Sequence, residues 1–468
     1  MERLKKIGVI KPKKSTEIKK SKIGLGFEKL DRGVFDPEKA YDKVCDCGVK
    51  YARIQSGWQR TERAKGVYDF EWLDSVVDNL IRRGVEPWIC LCYGNELYTK
   101  AAEKVYGAVG CPPIFTEEEK TAWANYTKAV AKRYEGKVRY FEVWNEPDGQ
   151  WCWKHGPNAV ELGEFTIATA KAIKEVRPDA KVIGGVICMH SLDFLNTALN
   201  TGMGDYIDFI SFHEYTADER KVFERVDSYR ALAKIYNPNI GIIQGESGSQ
   251  SRGDGHGALR TGAWTEEIQA KQLARHTIAD LMTDVHFMSY FSCMDMIEAL
   301  NGDVNDKASY LDYGYFGVLR AEFDEDGKST GEYSEKPSYY ALRNICSVFA
   351  EDCEVCKLPV IVWSEYSYKV YDRLPDNYEL TAGAFERPGG RAYVYWKPTN
   401  IMTTSYKSLI NIQFYSEYKK FRLVDIMDGS IYEIPDDMIE DKGNNVYDIC
   451  GLPVKDTPLI LTFGDFLI

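Results

Sequence analysis

Two glutamates stand where short apolar segments end, in settings that could support acid–base or nucleophilic chemistry. Glu146 follows the apolar run VRYFEVW in the tetrapeptide WNEP (144–147), and Glu246 closes the run IGIIQGE (240–246). Two carboxyl groups that face each other across a cleft can divide a reaction, because one protonates a leaving oxygen while the other attacks or activates water. The two glutamates are far apart in sequence, so only the fold can bring them together.

From residue 23 onward, short apolar strands alternate with amphipathic helices. Strands are predicted at 23–28, 51–56, 85–93, 138–144, 181–187, 207–213, 240–246 and 286–292, each followed by a helix. Alternation of this kind predicts a parallel sheet, and eight repeats predict its closure into an α/β fold, the (β/α)₈ or TIM barrel, over residues 23–350. An open doubly wound sheet is the alternative, but no G-x-G-x-x-G or P-loop motif opens any of the helices.

After residue 350 the pattern changes to apolar runs separated by turn residues, as in RPGG (387–390). This predicts a C-terminal all-β domain, a sandwich, over residues 351–468, and its first strand is expected in the run 358–371. We expect residues 1–22 to pair with this domain. A long loop is expected between Cys293 and Lys336.

Enzymes built on such barrels carry their catalytic groups at the C-terminal ends of the strands. Period-two alternation would place Glu142, Trp144 and Glu146 on one face of the fourth strand. It would likewise place Gln244 and Glu246 on one face of the seventh. Both terminal glutamates are therefore expected to point over the mouth of the barrel, where cleavage of a glycosidic bond would require them.

The segment YFEVWNEP (140–147) resembles the acid/base motif of clan A glycoside hydrolases, in which Asn-Glu ends strand four and a nucleophilic Glu ends strand seven. Within that clan the chain most resembles glycoside hydrolase family 39, the β-xylosidase-like family, over the barrel and the trailing β-domain. The resemblance implies a retaining enzyme that works by double displacement, with Glu146 as acid/base and Glu246 as nucleophile.

The resemblance also assigns roles around these two residues. Asn145 would match the asparagine that binds the sugar 2-hydroxyl, and Arg53 the arginine that keeps the nucleophile ionised. His213 and Tyr215 would match a subsite pair whose tyrosine hydroxyl contacts the nucleophile. Two alternatives stay open, since Arg53 could only neutralise Glu142 and His213 could be a core histidine.

Several aromatic residues follow predicted strands and could stack on sugar rings, although packing in the core explains each of them equally well. They are Trp58, Tyr93, Trp151, Trp153 and Trp264. Glu96 could bind a sugar hydroxyl or sit in a loop. Many clan members place a Trp at the end of strand eight, where this chain has YFSCMD (290–295), so Phe291 or the loop after it would have to shape that subsite.

The composition excludes some classes of partner. Lys and Arg number 59 against 71 Asp and Glu, a net charge of −12, which argues against nucleic acid and anionic membranes. Twelve cysteines without an apolar leader favour reduced thiols and a cytoplasmic location. That location in turn suggests exo-action on imported oligosaccharides or small glycosides.

Three alternative functions were considered for a chain with these residues. A metal-dependent barrel hydrolase would need a His-x-His pair, which the six histidines do not provide, so we expect neither metal nor cofactor. A transglycosidase would share the covalent intermediate and differ only in the acceptor. A non-catalytic carbohydrate-binding relative would be expected to lack one carboxylate. The sugar, the linkage and the oligomeric state, including a homo-oligomer, stay open.

Overall fold

A computed structural model describes residues 3–364 and 379–467 of the chain. A short strand, β1 (Lys5–Val9), precedes the barrel. The barrel strands are β2 (Ile23–Gly26), β3 (Tyr51–Gln55), β4 (Glu86–Leu91), β5 (Tyr140–Val143), β6 (Lys181–Ile187), β7 (Phe209–Glu214), β8 (Gly241–Ser247) and β9 (Met288–Tyr290). They pair in parallel in this order, and β9 returns to β2. The predicted (β/α)₈ barrel is confirmed.

Helices follow the strands and cover the outside of the barrel. They are α1 (Tyr41–Cys47), α2 (Trp58–Thr61), α3 (Glu71–Arg82), α4 (Glu117–Arg133), α5 (Ala159–Val176), α6 (Leu192–Asn200), α7 (Lys221–Tyr236), α8 (Glu266–Met282) and α9 (Pro337–Val348). Local sequence fixes several starts: Thr116 and Glu119 form a capping box at α4, and Asn158 caps α5. Within the described residues, no helix has both the length and the apolarity to cross a membrane.

The interior of the barrel is layered. At the N-terminal end of the strands an apolar cluster fills the space, with Trp88, Tyr140, Ile243 and Phe287 buried together. Along the same strands toward the C-terminal end, the interior becomes charged, beginning with Arg53. The packed layer closes the bottom of the barrel, so that the charged groups can be reached only from the C-terminal mouth.

The segment expected as one long loop after the eighth barrel strand contains four short strands. These are β10 (Met296–Ile297), β11 (Tyr313–Gly314), β12 (Leu319–Phe323) and β13 (Ser329–Glu335). They form two antiparallel hairpins. The second turns through Asp324, whose carboxylate accepts from Asp326 N and Lys328 N, and through Gly327 at φ 78°. Short polar strands of this kind lack the apolar alternation from which a strand is predicted.

The C-terminal strands form two antiparallel sheets with a shared core. They are β14 (Glu354–Cys356), β15 (Val360–Ser364), β16 (Thr381–Arg387), β17 (Gly390–Trp396), β18 (Lys407–Tyr415), β19 (Phe421–Asp425), β20 (Ser430–Glu433), β21 (Ile439–Gly443), β22 (Val446–Lys455) and β23 (Leu459–Gly464). Ile412 and Ile449 of one sheet pack with Leu423 and Leu461 of the other, and the predicted sandwich is confirmed. Strand β1 pairs with β20. Of the strand expected at 358–371, residues 365–371 lie outside the described residues.

Candidate active site

A single buried arginine connects the polar groups at the mouth of the barrel. Arg53, on β3, is 0% exposed. Its Nε donates to Glu142 Oε2 at 2.7 Å, one Nη to Glu246 Oε2 at 2.8 Å and the other Nη to Asn145 Oδ1 at 2.8 Å. Guanidinium bonds to carboxylates are charge-assisted and directional, so this residue fixes the positions of its three partners.

The backbone turns sharply between Glu142 and Glu146. Strand β5 ends at Val143, and Trp144 and Glu146 adopt φ values of 68° and 44°. Trp144 therefore leaves the inner face and packs outside the barrel against Trp123, while its indole N–H donates to Cys152 O at 2.7 Å. The prediction that Trp144 shares a face with Glu142 is wrong, because left-handed residues break the alternation.

Strand β8 contains a bulge just before Glu246. Ile243 faces the inner apolar layer, and a Cβ built on Gly245 would lie 2.2 Å from Ser211 Oγ inside the barrel. Gln244 between them thus belongs to the outer face, so the predicted face is wrong. The pairing with β7 shifts by one residue here, from Phe212–Gln244 to His213–Glu246. This bulge at glycine turns Glu246 inward.

The two predicted catalytic glutamates meet on either side of His213. Glu146 Oε1 lies 2.9 Å from His213 Nδ1, and the same nitrogen lies 3.8 Å from Glu246 Oε2. The His213 nitrogen and one oxygen of each carboxylate are all within 4.8 Å of one another. Trp151 Nε1 donates to the other oxygen of Glu146, and the Tyr215 hydroxyl donates to Glu246 Oε1. The fold thus brings together five predicted site residues.

Charges set the protonation of this group. Burial by itself would raise the pKa of Glu146. The hydrogen bond and charge of His213 outweigh burial, so the pKa of Glu146 lies below its usual range. Burial lowers the pKa of His213, yet Glu246 and Glu146 together raise it above its usual range. Each of the two groups thus stabilises the charged form of the other, and they share a proton across the hydrogen bond between them.

Glu28, at the end of the first barrel strand, is a further buried carboxyl beside Arg53. Its Oε1 lies 3.5 Å from an Arg53 Nη. Burial, opposed by Arg53, raises the pKa of Glu28 to about 8, so this group is neutral at neutral pH. The Arg53 guanidinium is thus surrounded by three carboxyl groups, those of Glu28, Glu142 and Glu246.

The same cluster is compact enough to be tested as a metal site. Among the described residues, Glu146, His213 and Glu246 have ligand atoms close enough to share one ion. A cation placed there would compete with the Arg53 guanidinium, which already donates to Glu246, and would displace the proton of His213. The donor set thus already carries its own positive charge, and a metal-free site stays our prediction.

The carboxylates open into a cleft of about 650 Å³. On one side the loop after β4 meets the loop after β9. Val105 and Asp303 form a β-bridge, and the rings of Tyr106 and Tyr310 stack at 4.4 Å. Lys154 Nζ also donates to Leu300 O at 2.9 Å. These contacts fix the loop that carries Leu300 and Asn301, which line the cleft, while other lining residues come from the loops after β6, β7 and β8.

Most of the predicted sugar-stacking aromatics are not in the cleft. Trp151 lines it, and so does Tyr215. Tyr93 is buried behind Asn145, where its hydroxyl contacts Cys152 Sγ at 3.7 Å. The remaining tryptophans are buried, each with its indole N–H bonded: Trp58 to Glu62, Trp153 to Glu161 and Trp264 to Leu259 O. Glu96 is exposed and lies outside the cleft.

Three residues near Glu246, namely Lys29, Glu298 and Phe316, were not predicted from the sequence. Lys29 donates to Glu298 Oε1 at 3.2 Å, and its ammonium lies 5.0 Å from the centre of the Phe291 ring. Phe291 is buried, and Phe316 is the phenylalanine that lines the cleft. Lys29 could have been identified from the sequence, because it follows the first barrel strand and barrel enzymes place functional groups at strand ends. No sequence pattern between Cys293 and Lys336 marks Glu298 or Phe316 as residues of the site.

Part of the chain is similar to known proteins. The model for glycosyl hydrolases family 39 matches residues 40–237. The β-xylosidase of Geobacillus stearothermophilus is 29% identical over 175 residues, 34% of this chain and 33% of that protein. The β-xylosidase of Caldicellulosiruptor saccharolyticus is 28% identical over 186 residues, 37% of this chain and 38% of that protein. The matches thus span little more than a third of either relative, and they confirm the predicted resemblance to family 39.

Solved structures share the fold over a longer stretch. A family 39 glycoside hydrolase from Bacteroides cellulosilyticus WH2 superposes with a TM-score of 0.63 at 19% identity, covering 94% of this chain and 80% of that one. A monomeric β-xylosidase from Caulobacter crescentus CB15 gives 0.61 at 15% identity, covering 99% and 98%. At these identities the likeness concerns the fold, a barrel with an attached β-domain.

The bulge on β8 yields a prediction. Replacing Gly245 by Ala would push a methyl group against Ser211 Oγ and, at 3.2 Å, Glu142 Oε1. We expect the displaced Glu246 to cost about 10²-fold in kcat on an aryl glycoside, as misplacements near 1 Å do. The double variant Ser211→Ala, Gly245→Ala, which removes the closest obstacle, should recover part of the loss. Unchanged kcat in Gly245→Ala, with a native circular dichroism spectrum, would contradict this account of the bulge.

Proposed function

We propose, from the premise that this chain resembles glycoside hydrolase family 39, that it is a retaining, exo-acting glycoside hydrolase. Its substrates are small oligosaccharides or glycosides of the β-xyloside or β-glycoside type. Glu246 is the nucleophile and Glu146 the acid/base. Asn145, Arg53, His213, Tyr215 and Trp151 orient these two carboxyl groups and the sugar.

The separation of the two carboxyl groups is the observation that carries the proposal. One oxygen of Glu146 lies within 4.8 Å of one oxygen of Glu246. Retaining glycosidases place their carboxyl groups about 5–5.5 Å apart, whereas inverting enzymes need about 6.5–9.5 Å to admit a water molecule between them. The spacing supports direct attack by Glu246 on the anomeric carbon.

The proposed reaction has two steps. In the first, a Glu246 oxygen attacks the anomeric carbon while Glu146 delivers the proton of the Glu146–His213 pair to the departing oxygen. In the second, Glu146 accepts a proton from water, which attacks the same carbon and releases Glu246. Arg53 and Tyr215 hold Glu246 in place through both steps, since each donates to a different carboxylate oxygen.

The form of the cleft supports exo-action. Glu146 protonates the leaving group, so the leaving group must lie on its side, toward the open loops where Met189 is 58% exposed. On the opposite side, the lining residue Leu300 lies in a loop that is fixed by Lys154 and by the stacked rings of Tyr106 and Tyr310. A cleft closed at this loop would hold the terminal sugar and exclude a continuing chain. A cytoplasmic location and hydrolysis rather than transglycosylation remain parts of the proposal, and the oligomeric state stays open.

A direct test is the stereochemistry of the first product. Aryl glycosides of xylose, glucose, galactose, arabinose and fucose identify the glycone, and proton NMR then follows the anomeric signal during hydrolysis. We expect the anomer of the substrate to appear first and to mutarotate later. The inverted anomer as first product would refute the retaining mechanism, and turnover that needs an added sugar acceptor, with no hydrolysis in water alone, would identify a transglycosidase.

Removal of Glu146 separates the two roles. Glu146→Ala should lose about 10²–10⁴-fold on glycosides with poor leaving groups, as expected for general acid–base catalysis. On a dinitrophenyl glycoside, which needs no proton, the glycosyl-enzyme should still form and then hydrolyse slowly. Azide should restore turnover and give a glycosyl azide of retained configuration.

The matched control is Glu246→Ala, for which any azide product should be inverted. Equal impairment of Glu146→Ala on all leaving groups, with no effect of azide, would remove Glu146 from the acid/base role.

A further inference from the structure

We propose that the aglycone side of this cleft binds an anionic group, so that the preferred substrates carry a carboxylate on the leaving portion rather than on the terminal sugar. The proposal concerns Lys221 and Arg260, which line the same cleft as Glu146 and Glu246. It rests on the proposed function, because that function defines which side of the cleft receives the leaving group.

The charges deep in the cleft argue for a neutral terminal sugar. Arg53 donates to the carboxylates of Glu142 and Glu246, and His213 is hydrogen-bonded to Glu146. Lys29 is paired with Glu298 at 3.2 Å. Arg53 and Lys29 thus each already have a carboxylate partner, so the reaction centre offers neither of these cations to an anionic glycone.

The rim toward the leaving group carries positively charged side chains. Lys221 and Arg225 stand one turn apart on α7, and both line the cleft. Arg225 Nε donates to Glu214 at 3.2 Å, so that these two charges cancel. Burial lowers the pKa of nearby His190 to about 4, and it is therefore neutral.

Among the described residues, Lys221 and Arg260 form no ion pair. Both are exposed, and within residues 3–364 and 379–467 neither has a carboxylate oxygen within 4.0 Å. The one other rim carboxylate, Asp312, contacts His256 at 3.2 Å. On a protein with a net charge of −12, two exposed cations without an ion pair at a cleft rim are a local concentration of positive charge. Such a rim attracts an anion to the position that the leaving group occupies.

The test compares two ligands that differ only in charge, 4-carboxyphenyl and 4-carbamoylphenyl 1-thio-β-D-xylopyranoside. The thioglycosidic bond resists hydrolysis, so calorimetry measures binding without turnover. We expect the carboxylate to bind about three- to tenfold more tightly at low ionic strength, the range for a pair of exposed ion pairs. The preference should disappear in about 0.5 M salt because exposed charges are screened.

Variants locate the effect. In the double variant Lys221→Gln, Arg260→Gln, the carboxylate ligand should lose its advantage and bind no more tightly than the carbamoyl ligand. The affinity of the carbamoyl ligand should be unchanged. Lys419→Gln, which removes an exposed lysine of the β-domain outside the cleft, should keep the full preference. Equal binding to the unmodified protein, no binding of the carboxylate, or an equal loss in Lys419→Gln would overturn the proposal. Failure of the hydrolase proposal would appear separately, as absent turnover in the aryl glycoside panel.

Discussion

The guanidinium of Arg53 has no access to solvent, so each of its N–H groups must find an acceptor inside the barrel. It finds them on Glu142, Glu246, Asn145 and, more weakly, Cys90 Sγ. A buried cation is tolerated only when it is paired and hydrogen-bonded, and removing one partner of such a pair is strongly destabilising. The strands that carry these acceptors are thereby held in one arrangement, which is also the arrangement that sets Glu246 opposite Glu146.

Two backbone irregularities make that arrangement possible. The left-handed residues at Trp144 and Glu146 bring one carboxylate over the mouth of the barrel, and the bulge at Gly245 brings the other. Strain and bulges of this kind persist where surrounding contacts over-determine them, and they cluster at functional sites. Here the contacts are the Trp144 indole bond to Cys152 O and the close approach of Gly245 to Ser211.

These irregularities also mark the limit of what the sequence could predict. The eight strand–helix units were predictable because apolar strands buried on both faces and capped amphipathic helices leave strong periodic signals. The positions of Glu146 and Glu246 at strand ends followed from those units. Their orientation did not, since period-two alternation assumes a regular strand and both strands depart from it. The hairpins that contribute Glu298 and Phe316 left no signal. The sequence also left open whether Trp58 stacks on a sugar or packs in the core, where its ring is buried against Tyr126.

Covalent trapping identifies the nucleophile directly. Incubation with 2,4-dinitrophenyl 2-deoxy-2-fluoro-β-D-xyloside, followed by proteolysis and mass spectrometry, identifies the carboxylate that attacks the anomeric carbon. The fluorine slows both steps and the dinitrophenolate speeds the first, so the intermediate accumulates. The arrangement around Arg53 predicts one label per chain, on Glu246. A label on Glu146, Glu142 or Glu298, with Glu246 unmodified, would contradict it.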